Sequence, residues 1–146
     1  MGKPRGKGSG SEKPTALVTP PSRGSYRCDW DPGFGRSLDD LRPPTVAAQI
    51  MADFLAFFDE WRAGVPDSEL YDTWGYTDAR GSEAKRWKVQ KVRLGPARKY
   101  RIALTIVPRP EPVMWLLHAY RRDSTSTKED LAPAIRRARA RWENAK

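Results

Sequence analysis

The sequence predicts an α+β domain: a small antiparallel sheet of three to five strands with helices packed on one face. Three observations carry this reading. Thr45 to Ala63 places Ala47, Ile50, Met51, Phe54, Leu55, Phe58 and Trp61 at three- and four-residue steps, the stripe of a core helix. Tyr100 to Val107 and Val113 to Arg122 read as two strands joined by Pro108-Arg-Pro-Glu-Pro112, where prolines suit a hairpin turn and not a ladder. The remaining segments complete the order strand, helix, basic strand, strand, strand, helix, with short connections that favour antiparallel neighbours.

Taken in order, residues 1–25 are rich in Gly, Pro, Ser and Lys and bury nothing, so a disordered basic tail is expected there, with the domain over 26–146. Tyr26, Cys28 and Trp30 alternate with Arg27 and Asp29, which fits a short strand. Ser37 to Leu41 suits one helical turn capped by Ser37. Pro43 and Pro44 precede the long helix, and Gly64 and Pro66 follow it. Residues 65–84 read as a polar loop carrying three aromatics, Tyr71, Trp74 and Tyr76, which either stack on bases or fold back as a lid. Lys85 to Leu94 reads as a strand, with Gly95-Pro96 turning the chain. Ser126 and Glu129 fit a capping box for a last helix ending near Trp142, although Pro133 favours a start near Asp130.

Charge divides the chain. Residues 26–84 hold five basic and twelve acidic residues, whereas 85–146 hold seventeen basic and five acidic, within a net charge of +9. Eight cations and no acid fall between Lys85 and Arg101. Lysines alone can blunt an exposed sheet edge, but mixed charge would do so equally well. The excess therefore points to a polyanion, with Lys88, Lys91, Arg93, Arg98, Lys99 and Arg122 as candidate RNA contacts. One cysteine and one histidine make no metal-ligand cluster, so no metal or other cofactor is expected. No apolar run approaches the ~20 residues of a membrane span, and no apolar segment follows the N-terminal cations. A cytoplasmic protein is expected.

The hairpin collects the residues of chemical interest: Arg101 near its start, then His118, Tyr120, Arg121 and Arg122 near its end. Tyr100-Arg101 opening a strand, Leu116-Leu117-His118-Ala119-Tyr120-Arg121-Arg122 closing the next, a Ser/Thr turn, and a helix with Ala138 and Arg141 together resemble the RelE/HigB superfamily of bacterial toxins, in its phage-derived HigB-like branch. The resemblance covers about 85–145 by motif and 26–84 by element order. It implies the RelE-like fold and a ribosome-dependent mRNA endonuclease that needs no metal. It further implies a cognate antitoxin, a helix-turn-helix protein, as partner beside mRNA on the ribosome. In such chemistry a ribose 2′-OH attacks the neighbouring phosphate, which requires a proton acceptor, a cation for the phosphorane and a proton donor. Arg101 matches the family's strand arginine. Arg121 or Arg122 matches its basic pair, and His118 and Tyr120 are the candidates for proton transfer. Ser and Thr stand where many members place a tyrosine beyond the last strand. Two other readings compete: a non-catalytic RNA- or protein-binding module of the same fold, and a gyrase inhibitor of the ParE branch.

Overall fold

The computed structural model describes residues 19–122 and 128–145. Five strands and five α-helices lie among the described residues. Strand β1 (Arg27–Trp30) leads into α1 (Pro32–Asp39), α2 (Val46–Arg62) and α3 (Asp67–Trp74). Then come β2 (Thr77–Asp78), α4 (Ser82–Arg86), β3 (Gln90–Leu94), β4 (Tyr100–Val107), β5 (Val113–Arg121) and α5 (Lys128–Asn144). They form an α+β fold around one sheet of order β1-β5-β4-β3-β2.

Two features of the expected sheet differ. The sheet is mixed, because β1 runs parallel to β5 while the other pairs are antiparallel. Helices also cover both faces. Alternation along β4 sends Ile102 and Leu104 one way, into a core with Phe34, Ile50, Phe54, Phe57, Leu70 and Met114. It sends Ala103 the other way, into a second cluster with Ala84, Val89, Leu117, Leu131, Ala134 and Ala138. The first face is large and aromatic. The second is smaller, with Ala103 of β4 and Ala134 and Ala138 of α5 among its members.

Local chemistry explains most boundaries. Helix α1 starts at Pro32 because Asp31 caps it, its Oδ1 accepting from Gly33 N at 2.9 Å. Ser37 therefore lies inside the helix and is not its cap; its hydroxyl donates to Phe34 O and accepts from Ala119 N of β5. The expected loop over 65–84 holds α3, which begins with Asp67 and Glu69 in the favourable first turn and buries Leu70 and Trp74. Gly75 ends it at φ +63, and a Cβ there would stand 2.6 Å from the Arg93 side chain. The expected strand from Lys85 begins instead as the last part of α4, and only Gln90–Leu94 pairs. Helix α5 starts at Lys128, so Pro133 lies inside it; Ser126 of the expected capping box is outside the described residues. Of the expected tail, residues 1–18 are also outside them. Residues 23–25 form a 3-10 turn, and the Arg23 guanidinium donates to Val65 O and pairs with Asp67 at 2.6 Å.

A β-bulge in β5 sets the geometry of the site. Leu104 pairs with Leu116 and Ala103 with His118, which leaves Leu117 as an extra residue. From there His118 and Tyr120 fall on the α5 face, with Ala119 and Arg121 on the other. Short β1 leaves the lower edge of β5 uncovered by strand. Asp31 N, the Arg137 guanidinium and Ser37 Oγ satisfy Leu116 O, Leu117 O and Ala119 N along it.

Candidate nucleic-acid interface

The ladder places like charges side by side. Arg93 of β3 pairs with Arg101 of β4, which pairs with Tyr120 of β5; one step along, Lys91 pairs with Ala103, which pairs with His118. All these side chains share the α5 face. Backbone N–H of Arg122 donates to Lys99 O at 2.7 Å, extending the ladder and adding Arg122 to the row. Lys91, Arg93 and Arg122 line a cleft of 740 Å³ whose further walls include Arg80, Arg136, Leu131, Ile135 and Tyr71. That volume lies within the ~300–1,000 Å³ of ligand sites.

Arg101 sits behind this wall, 6% exposed. Its Nη1 donates to Arg98 O at 2.7 Å and Tyr100 O at 3.0 Å. Its Nε is buried without a hydrogen-bond partner among the described residues, and so is the Nε of Arg122. Buried N–H groups are ordinarily paired, so two orphans on neighbouring guanidinium groups mark a place suited to an anion. Burial, and then the charges of Arg122 and Arg93, pull Arg101 down to about 10, which still leaves it protonated at neutral pH. Lys91 is 8% exposed. Burial first, and then Arg122, Arg101, Arg93 and Arg80, hold its ammonium below the usual lysine range. Two carboxylates also reach the cleft, but Asp78 accepts from Gln90 Nε2 at 3.1 Å and Glu83 lies 3.9 Å from Arg86.

His118 and Tyr120 stack with ring centroids 5.6 Å apart. His118 Nδ1 lies 3.3 Å from Arg137 Nη1. A guanidinium only donates, so Nδ1 accepts and the ring proton is on Nε2. Burial, and then the Arg137 charge against the opposing Asp130, lower His118 to about 4. It is a neutral imidazole at pH 7, engaged by α5. Tyr120 is buried directly across from Arg101.

The other sequence-selected cations scatter. Arg121 points to the opposite sheet face, its guanidinium 5.9 Å from the Tyr100 ring, so of the two sequence candidates Arg122, not Arg121, lies with Arg101. Arg98 donates to Thr73 O at 2.7 Å and stacks 4.8 Å over Trp74, which makes it a brace between α3 and β3. Lys88 is exposed with its ammonium 5.9 Å from the Trp142 ring near the end of α5, and Lys99 is exposed. Sequence reading missed Arg80, because it lies in an acidic stretch, and Arg136 as a cleft residue, because a surface helix bears arginines anyway. The i, i+4 pair Leu131 and Ile135 beside it was the available signal.

Among the described residues no three His, Cys, Asp or Glu side chains group closely enough to hold a metal ion, and no helix is long and apolar enough to cross a membrane. No protein-family model and no curated protein sequence matches the chain.

Proposed function

We propose that the cleft binds RNA phosphates and that the protein is a metal-independent endoribonuclease of the RelE/HigB toxin type, acting on mRNA at the ribosome and restrained by a cognate antitoxin. The observation that carries this is the row of Lys91 and Arg93 on β3, Arg101 on β4 and Arg122 just past β5, with the Nε atoms of Arg101 and Arg122 buried and unpartnered among the described residues. Cations stacked this closely repel one another, and a phosphate between them removes that cost. In this reading Lys91, whose ammonium is made easier to deprotonate by burial and by the surrounding arginines, takes the proton of a 2′-OH, whose oxygen attacks the adjacent phosphorus. Arg122, which lines the cleft, stabilises the phosphorane with the buried Arg101 behind it, and water protonates the departing 5′ oxygen. The products are a 2′,3′-cyclic phosphate and a 5′-hydroxyl end.

The test is expression in bacteria with primer extension on a translated mRNA, alongside incubation of purified protein and ribosomes with labelled mRNA. New cleavages that vanish with Arg122→Ala support the nuclease. A second reading, a non-catalytic RNA-binding module, draws on the neutral His118, which is tied to Arg137 and supplies no imidazolium. Salt-sensitive RNA binding without any cleavage would decide for it. Growth arrest with damaged DNA and intact mRNA would instead favour a ParE-like gyrase inhibitor.

A further inference from the structure

The sequence offers three aromatics between α2 and α4, and the structure separates their roles. Trp74 and Tyr76 are buried, with Trp74 Nε1 donating to Glu60 at 3.1 Å and Tyr76 OH donating to Gln90 at 2.7 Å. Tyr71 is 50% exposed, one of three large apolar side chains that are exposed among the described residues. Of those three, Tyr71 alone lines the cleft. It shares that cleft with Lys91, Arg93 and Arg122 on the sheet side and with Leu131, Ala132 and Ile135 of α5. A cationic row beside an open ring and an apolar wall is the combination that engages single strands: phosphates meet cations, and unpaired bases lie on π-faces and apolar surface. A base inside a duplex has both faces stacked already and cannot enter such a site.

We propose that Tyr71 is a stacking platform for an unpaired base adjoining the phosphate held by the cationic row, which makes single-stranded RNA the substrate class of the cleft. This inference rests on the reading of the cleft as an RNA site. Because the ring is half exposed and belongs to neither core cluster, replacing it should leave the fold intact, which a melting temperature within error of the parent's verifies.

The probe is a 2′-O-methyl RNA decamer, which cannot be cut, carrying one 2-aminopurine, presented as a single strand and as a duplex. Tyr71→Ala should weaken single-strand binding by about tenfold, and the fluorescence quench seen with the parent protein should disappear. Tyr71→Phe should restore both, and the salt dependence and duplex binding should not change. Equal single-strand affinity of Tyr71→Ala and the parent, or an equal loss on duplex, overturns the stacking role while leaving a salt-dependent RNA site in place. Absence of any salt-dependent RNA binding by the parent protein overturns the RNA reading and this inference together.

Discussion

The depressed histidine gives a stability prediction with a definite sign. In the folded chain His118 titrates at about 4 against an ordinary 6.5, because burial and the Arg137 guanidinium disfavour its cation. The folded state therefore refuses a proton that the unfolded chain accepts below about pH 6.5. Stability from this residue is fully present above that pH and falls as pH drops toward 4. At about 1.4 kcal/mol per unit, the full loss by pH 5 would be about 2 kcal/mol; His118 is only part-buried, so water relieves some of it and about 1 kcal/mol is expected. Glutamine at 118 offers an oxygen to Arg137 and does not titrate. Urea midpoints measured at pH 7.5 and pH 5 should thus fall further for the parent than for His118→Gln, with the other carboxylates contributing equally to both. Parallel slopes would refute the burial argument. The same variant should keep RNA cleavage at neutral pH within a few-fold; an acid limb near pH 6 that disappears in His118→Gln would restore the imidazole to the chemistry.

Three further outcomes follow from the cleft and its supports. Arg101→Met removes a buried cation lying between Arg93 and Arg122, so thermal stability should hold or rise by about 1 kcal/mol while RNA affinity falls at least about tenfold, measured by melting and by filter binding. Lys91→Arg keeps a cation at this position but removes a side chain that its surroundings make easier to deprotonate, so binding should persist while the cleavage rate falls about 100-fold in single-turnover assays. Asp31, 9% exposed, accepts from Gly33 N and pairs with Arg141 at 3.0 Å and Arg137 at 3.8 Å. Asp31→Ala removes the carboxylate shared by both arginines and uncaps α1, and should cost about 3–5 kcal/mol by urea denaturation; Asp31→Asn, which retains the cap, should cost less.

How far the sequence could be read depended on the range of the contact that decides each feature. Helix α2 and the β4–β5 hairpin were legible because their periodicity is local and their side chains are large. Helix α3 was not, since eight residues with one buried i, i+4 pair, Leu70 and Trp74, make a weak stripe, and the acids of its first turn read as loop polarity. The Lys85 to Leu94 segment misled because Trp87 and Val89 happen to alternate, while the five residues of α4 are too few to show a period. The parallel pairing of β1 with β5 joins residues more than eighty positions apart and leaves no mark on either strand. The face occupied by Arg121 and Arg122 hung on the bulge at Leu117. Strict alternation from Leu116 puts Arg122 on the aromatic face with Leu116, and one extra residue reverses that assignment. Arg101 was legible as a residue of β4, but its face and its neighbours could be read only from the register, and its guanidinium is buried.

The division of labour between the two sheet faces explains how the fold tolerates this row of cations. On the first face ten large side chains, among them Phe34, Ile50, Phe54, Phe57, Leu104 and Met114, are almost wholly removed from water. At about 1.5–3 kcal/mol each, their gross contribution is tens of kcal/mol, most of it offset by chain entropy. Desolvating Lys91 and Arg101 costs several kcal/mol per ion before any anion arrives. A site of that kind could not be built on the smaller second-face cluster of alanines with Val89, Leu117, Tyr120 and Leu131 alone. It also explains why α5 is fixed to that face by polar anchors as much as by apolar ones. Trp142 Nε1 donates to Thr105 Oγ1 at 2.9 Å, Arg141 lies 3.8 Å over Trp115 and pairs with Asp31, and Arg137 donates to Leu117 O. These contacts hold the C-terminal half of α5 against the sheet, so that its N-terminal half can stand off from β3 and wall the cleft instead of closing it.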